Sequence, residues 1–553
     1  MSEAAVHAEA PVGPAAWVPR ARVSATTVVA VVVLALALLH GWRWAFLCDD
    51  AYISFRYAHD LARYGELAFN VAPLERVEGY TNFAWVVALA VGERVGVAPP
   101  DAALALGMLA LAAIGLLAFT LVRVLGGDVR FGVVALGLVA ASPEVVVWGT
   151  SGLETAAAAA AVLGTIAAWH LGRVRMAGSV AALAVLLRPD AVVMLGAWAL
   201  AWLSLEGRAY WRAPTRPPVR VLLQAVALAI VPVAVHLLWR RAYYGTWTPN
   251  TWAVKAHGAA LRDTWGVAYV QAWSSATWLP YLAWVLPLLR RRALPLLACA
   301  AASVLYAWSV GGDFMAYSRF LVVASVLLAV LIALALSRAS ELLRRRWPRA
   351  RAGTAALLAM GGALAIGLAW QADRRFDRDR AKPEGWLDGK WEGVTAMHRF
   401  AAVGVAAGAW LAQHVPPDTV ITVGAAGAVP YASGLPTIDA FGLVDPEIPR
   451  MSPPPLRPGS AVRPGHQLFA PPEYIRARDP DLLCHVGFRG SQPPREAEAR
   501  PPFRSGYAWA CVQPGADAAM GPGGERFDPG VYCCRRPRDR VVGPFGAVEA
   551  AHE

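Results

Sequence analysis

The chain has 553 residues, of which 57% are hydrophobic and only 16% charged, with a mean hydropathy of +0.42. That balance excludes an ordinary soluble globule and calls for a polytopic membrane protein. The net charge of +12 does not point to nucleic acid, because the arginines stand in short blocks between apolar runs rather than along one polar face.

Residues 1–24 lack the small-residue cleavage pattern of a secretory signal, and the apolar run after them is long enough to remain as an anchor, so a cytoplasmic tail is expected. A bilayer crossing takes roughly 20 apolar residues, and about eleven such spans are expected. They fall at 25–47, 101–122, 131–148, 153–170, 176–187, 191–205, 221–239, 267–289, 293–310, 319–337 and 352–371. Arginines occupy alternate loops: Arg123 and Arg130; Arg173 and Arg175; Arg208, Arg212, Arg216 and Arg220; Arg290, Arg291 and Arg292; and Arg338 through Arg351. The positive-inside rule makes these loops cytoplasmic. Arg240 and Arg241 are the exception, on the outer side. The stretch Phe83 to Val97 breaks the alternation if it crosses, and Glu93 and Arg94 interrupt it, so it reads as a helix along the outer interface within a first external loop at 48–100.

From about Gln371 the apolar runs stop, and residues 372–553 are expected to form an extracytoplasmic α/β domain. Within it, VPPDTVITVGAAGAVPYASGLPTIDAFGLVD reads as strand, Gly-rich turn, short helix, strand. The Gly-rich run after Val423 is too weak a signal for a dinucleotide loop. The segments DAFGLVDPEI and RPGHQ either pack or contact substrate. Cys484, Cys511, Cys533 and Cys534 lie in this part, where an oxidising compartment permits disulfides. Adjacent Cys533 and Cys534 are poorly placed to pair with each other, which leaves Cys484 and Cys511 as their partners. No CxxC spacing supports a metal cluster, and the portion from about Pro493 has no assigned role.

Six polar segments converge on the outer side: CDDAYISFRYAHDLARYGELAFN, ERVEGYTNF, GTSGLET, LLRPDAVV, YYGTWTPNTWAVKAHG and GGDFMAYSRF. Asp49 and Asp50 follow the first span, where desolvation at the bilayer lip favours a basic carboxylate. Helix capping by Asp50 is the competing reading, and one of the pair is free to cap while the other acts. Arg56 either steers an anionic substrate or pairs with Asp60 one turn on. Glu78 and Tyr80 offer a carboxylate and a hydroxyl beside Gly79, which permits close backbone approach. Glu154 either bonds a hydroxyl or caps the next helix. In LLRPD the proline breaks an apolar run and leaves Arg188 at the interface, either functional or reaching for lipid phosphates. Lys255 and Arg319 are further cations beside spans, and with Arg188 they form a set able to hold a phosphate whose hydrocarbon tail stays in the bilayer. Tyr244, Asn250 and Asp313 complete the substrate-facing set, while Trp247 and Trp252 suit a headgroup belt or a sugar platform.

The order DDAYISFRYA, VEGYTNF, SGLET, LLRPD, YYGTWTPNTWAVK, GGDF, PTIDAFGLVDP and PGHQ, extending over most of the chain, resembles the GT-C superfamily of polyprenyl-phosphate-sugar-dependent glycosyltransferases. It is most similar there to the terminal β-(1→2)-arabinofuranosyltransferase type of actinobacterial cell-wall enzymes. The resemblance implies a multi-pass enzyme of a bacterial plasma membrane whose site faces outward. It also implies an essential aspartate in the first external loop, here Asp49 or Asp50. As general base this residue would take the proton from an acceptor hydroxyl attacking the anomeric carbon of the donor, with inversion. The acceptor class stays open among glycan, lipid and protein, and the sugar among arabinofuranose, mannose and other residues. Some members of the superfamily use a divalent cation (Mg2+, Mn2+ or Ca2+), for which Asp49 and Asp50 offer oxygens without making a specific signature. A transporter or flippase of lipid-linked sugars is the competing class. It calls for ionisable residues along several spans and for internal repeats, neither of which the sequence shows.

Overall fold

The computed structural model describes residues 24–546, apart from 72–73, 215, 257–259, 279, 281–286, 348–350, 383–385, 388–389, 452–462, 485–502, 504–505, 515–525, 527 and 529. All of the expected N-terminal tail except Ser24 lies outside them, as does much of the portion after Pro493. Ser24 starts the first helix, its hydroxyl accepting the Thr27 N–H at 3.1 Å, and the apolar run becomes α1 (Ala25–Arg43). There follow α2 (Asp49–Tyr64), α3 (Phe83–Arg94), α4 (Pro99–Val124), α5 (Val129–Ala141), α6 (Pro143–Trp148), α7 (Thr155–His170) and α8 (Val174–Leu187). The bundle continues through α9 (Ala191–Arg212), α10 (Val219–Tyr244), α11 (Asn250–Ala256), α12 (Val267–Thr277), α13 (Leu294–Ser309), α14 (Val322–Arg346) and α15 (Arg351–Arg380).

Among the described residues, seven helical stretches are long and apolar enough to cross a membrane by length and composition. They are Ala25–Arg43, Pro99–Val124, Val219–Tyr244, Arg291–Ser309, Arg319–Arg346, Ala352–Arg380 and Val394–His414, and α5, α7 and α8 are apolar but shorter. The apolar turns of α14 are buried on every side, as expected of a helix apolar all round, whereas α1 and α10 leave most of their apolar surface outward. The run expected at 131–148 is two helices, broken where Pro143 follows Ser142. The apolar part of α15 ends near Gln371 as expected, although the helix runs on through polar residues to Arg380, and a further apolar helix that the expected end left out, α16 (Val394–His414), follows. α3 spans only 12 residues, about 18 Å at 1.5 Å per residue, too short for a core of about 30 Å, and it packs against α2.

The C-terminal part is a small α/β domain. Its two-stranded hairpin β1 (Trp386–Leu387) and β2 (Trp391–Glu392) precedes α16. Then come β3 (Ile421–Val423), α17 (Ala428–Ser433), β4 (Thr437–Asp439), α18 (Pro472–Ala477), β5 (Leu482–Leu483), β6 (Tyr507–Val512) and β7 (Tyr532–Pro537). The sheet order is β4-β3-β5-β7-β6, with β3 parallel to β4 and β5, and β7 antiparallel to β5 and β6. The expected strand, turn, helix, strand unit is β3, α17 and β4. Neighbouring residues of a strand point to opposite faces, so the paired cysteines of β7 separate: Cys533 bonds Cys511 on β6, and Cys534 bonds Cys484 at the end of β5.

This domain is tied to the bundle at several points. Glu392 of β2 exchanges backbone hydrogen bonds with the loop before α14, donating to Phe314 and accepting from Ala316, both at 2.9 Å. The Asp379 carboxylate of α15 caps α16, accepting the N–H groups of Val394 at 2.8 Å and Thr395 at 3.1 Å. The exceptional Arg240 is buried and pairs with Glu78 at 2.6 Å. Burial pushes the Glu78 carboxyl up, and Arg240 pulls it back. Arg240 is therefore neutralised within the 65–82 loop, which accounts for its departure from the arginine pattern.

Candidate active site

α2 begins where the first apolar run ends, with Cys48 as N-cap residue and Asp49 and Asp50 as its first two residues. Neither carboxylate caps α2, which removes the capping reading of Asp50. Successive helical residues diverge by about 100°, and the two aspartates face different partners. Asp49 Oδ1 accepts the Ala428 N–H at 2.9 Å, capping α17 from 379 residues away. A Cβ on Gly427 would stand 2.0 Å from the Asp49 carbonyl oxygen and 2.4 Å from its carboxylate. The glycine-rich turn thus serves close packing against α2. Substituting Gly427→Val is expected to undock the domain, read as faster protease cleavage after Arg380 than in wild type.

Asp50 keeps 38% of its side chain exposed and faces Arg319, Nη2 to carboxylate oxygen 3.8 Å. Arg319 is only 7% exposed, pairs through Nε with Asp313, and lies over the rings of Trp148 at 5.7 Å and Phe320 at 5.2 Å. The loop carrying it holds Tyr317 and Ser318 at φ of 60° and 42°, a conformation rare for residues with side chains. Trp148 Nε1 donates to the Tyr317 carbonyl at 2.7 Å, and the Tyr317 hydroxyl donates to Asp379 at 3.2 Å, fixing that shape.

Beside this pair, Pro189 separates α8 from α9, as the sequence leads one to expect. Arg188 is held in a fork by Asp190 at 3.0 and 2.8 Å and bonds Glu154 at 3.3 Å. Its guanidinium covers the Phe320 ring at 5.1 Å. It points inward, which overturns the lipid-phosphate reading. The other Glu154 oxygen accepts from Asn82 at 2.8 Å, and Asn82 in turn donates to Ser54 of α2 at 3.0 Å. A narrow cleft of about 20 Å³ lies between α7, α9 and α14, with Arg188, Asp190, Arg319 and Phe320 at its head and Ala158, Val162, Met194 and Val323 along its walls.

Several expected site residues serve the architecture instead. Arg56 donates to the carbonyls of Phe69 at 2.6 Å, Pro430 at 2.6 Å and Leu435 at 2.9 Å, so it clamps the C-terminal domain and has no part in steering substrate. Tyr80 is buried against Tyr244, whose hydroxyl donates to the Leu67 carbonyl. Glu78 is consumed by Arg240. Asn250 bonds the Asp445 carbonyl at 2.6 Å and takes its own backbone partner from Glu78. Gly79 is needed where expected: a Cβ there would stand 2.3 Å from Val444. The Lys255 side chain lies outside the described residues. DAFGLVDPEI mostly packs, with Asp439 accepting the N–H groups of Phe441 and Val444 and burial pushing its carboxyl up to about 7. Asn82, Trp148, Asp190 and Phe320 were not singled out from sequence, although Asp190 stands in the LLRPD element that drew attention to Arg188.

The residues do not suit a divalent cation shared by Asp49 and Asp50, since one carboxylate serves α17 and the other an arginine. Among the described residues no three His, Cys, Asp or Glu side chains gather as a metal group.

A family model described as a domain of unknown function, DUF8728, matches residues 394–518. No curated protein matches the sequence. Among solved structures, ArnT from Cupriavidus metallidurans in the apo state is 16% identical with a TM-score of 0.50, covering 75% of this chain and 86% of that one. The same protein bound to undecaprenyl phosphate is 14% identical with a TM-score of 0.46 over 75% and 86% of the two chains. The Archaeoglobus fulgidus oligosaccharyltransferase, tethered to an acceptor peptide containing the NVT sequon, is 14% identical with a TM-score of 0.43 over 74% and 64%. The chain is a polytopic helical membrane protein with a small C-terminal α/β domain, and it shares the fold of ArnT from Cupriavidus metallidurans in the apo state.

Proposed function

We propose that this protein is a membrane glycosyltransferase that moves a sugar from a polyprenyl-phosphate carrier to an acceptor hydroxyl on the outer face of a bacterial plasma membrane. The observation that carries the reading is an exposed carboxylate, Asp50, set against Arg319 at the head of an apolar cleft that holds a second arginine. On this reading a donor phosphate would bind at the guanidinium groups of Arg188 and Arg319 once the narrow cleft widens, its tail running along the apolar residues of α7, α9 and α14. The phosphate competes with Asp50 for Arg319 and releases the carboxylate. Asp50 then takes the proton of the acceptor hydroxyl as its oxygen bonds to the anomeric carbon. The bond from that carbon to the phosphate oxygen breaks, its electron pair leaves with the phosphate, and the arginines stabilise the charge. Attack opposite the leaving group inverts the anomeric centre.

The arginine pattern favours an outward site, and the two disulfides favour an oxidising compartment for the C-terminal domain. The motif resemblance favours arabinofuranose as the sugar and a cell-envelope acceptor. Substituting Arg319→Lys keeps the charge but loses the fork. In lipid nanodiscs it is expected to weaken undecaprenyl phosphate binding about tenfold, as a lost charge-assisted hydrogen bond would. Wild-type affinity in that variant would remove the phosphate from this cleft.

A further inference from the structure

The ends of α1 and α15 that lie toward Asp50 carry cations outside the cleft. Arg43 is the last residue of α1, and the final turns of α15 hold Arg374, Arg375, Arg378 and Arg380 against Asp373, Asp377 and Asp379. The two helices meet here: His40 Nε2 lies 3.5 Å from Asp373, and the Trp44 ring stacks on Phe376 with centroids 3.9 Å apart. Asp373 is thus engaged by His40, and Asp379 by Tyr317 and the first turn of α16. Two of the three carboxylates are already in use.

Two exposed arginines, one from each helix, converge on the Trp44 ring, Arg380 at 4.0 Å and Arg43 at 5.7 Å. Among the described residues neither has a carboxylate in ion-pair reach. An aromatic face attracts a guanidinium without neutralising it. The helix dipole favours a cation at each C-terminus, but it does not gather the cations of two helices over one ring. Back along the same helices the surface is apolar: Leu36, Leu39 and Trp42 of α1 are exposed, as are Ile366 and Trp370 of α15. Arg374 covers the Trp370 ring at 3.8 Å, adding a further cation at the border between the apolar and charged surfaces.

We propose that the junction of α1 and α15 is a docking site for an anionic phospholipid, its phosphate held by Arg43 and Arg380 and its acyl chains laid along the exposed apolar faces of the two helices. Two helical faces suit a lipid with two chains. Paired guanidinium groups suit a headgroup that brings no cation of its own, which favours an anionic over a zwitterionic lipid. The bound lipid would sit next to the turn that presents Arg319, since Phe376, stacked on Trp44, lies 5.1 Å from the Tyr317 ring. The site is distinct from the cleft of Arg188 and Arg319 and does not depend on the glycosyltransferase reading.

The test is native mass spectrometry of the full-length protein in detergent, titrated separately with dioleoyl phosphatidylglycerol and dioleoyl phosphatidylcholine. Arg43→Gln/Arg380→Gln is expected to lose one tightly bound phosphatidylglycerol relative to wild type, with phosphatidylcholine binding unchanged. Arg43→Lys/Arg380→Lys, which keeps the charge without the planar fork, should retain that lipid with affinity about tenfold lower. An unchanged phosphatidylglycerol count in the Gln variant overturns the proposal, as does an equal loss of phosphatidylcholine, which would make the contact apolar only. Undecaprenyl phosphate is expected to bind wild type and the Gln variant equally. Its loss in that variant, or displacement of phosphatidylglycerol from wild type by inorganic phosphate, would name a different occupant and overturn the proposal as well.

Discussion

Asp50→Asn is expected to abolish sugar transfer, with a loss on the order of a thousandfold, since a positioned general base contributes about 10² to 10⁴. Undecaprenyl phosphate binding should persist, because the amide leaves Arg188 and Arg319 in place. Asp49→Asn is expected to behave differently. Its carboxylate accepts the Ala428 N–H and does not face the cleft, so transfer continues while the fold loses about 1 kcal/mol, the usual cost of a weakened helix cap. Both variants are measured in cell envelopes from a strain lacking the protein, which retain donor and unmodified acceptor, with mass analysis of the glycan as readout. Equal activity in the two variants, or transfer surviving in Asp50→Asn, would remove the base assignment.

The largest expected stability effect belongs to Arg56→Met. The guanidinium is fully enclosed and serves three carbonyls, two of them in the C-terminal domain. Hydrogen bonds from a charged group contribute about 1.5 to 3 kcal/mol each. Offset by the relieved desolvation of the cation, the loss is on the order of 3 kcal/mol. Burial drags the Arg56 pKa down to about 10, which still leaves it charged at neutral pH. Arg56→Lys cannot reach three carbonyls at once and should recover only part of the stability. Denaturation of the purified protein in detergent checks both, and a loss below about 1 kcal/mol in Arg56→Met would show that the clamp is dispensable.

Much of the fold was readable because it depends on local patterns. Apolar run length located the helices, Pro189 marked the break before α9, and the adjacency of Cys533 and Cys534 pointed to Cys484 and Cys511 as their partners, while which pairs with which is fixed only by the strand register. Arg188, Lys255 and Arg319 stood out for a similar reason, since a cation bordering an apolar run needs an explanation wherever it occurs; two of them, Arg188 and Arg319, line one cleft, and the Lys255 side chain lies outside the described residues. What escaped the sequence were partnerships across long separations. Nothing near Arg56 reveals that its acceptors are Pro430 and Leu435, and nothing near Glu78 reveals Arg240. The choice between Asp49 and Asp50 escaped for the same cause: helical geometry says the two diverge, but only the position of α17 says which one is occupied. The apolar helix α16 went unremarked in the sequence because an apolar run packed in a domain and one crossing a bilayer differ little in composition.

The backbone exchange between Glu392 and the loop at 314–316, together with the Asp379 cap on α16, has a bearing on biogenesis. Both restrain the strained turn that presents Arg319, and both require chain synthesised after the last bundle helix has emerged from the ribosome. A nascent protein with its helices through α15 already inserted would still lack the braces on that turn until residues 386–395 have been added.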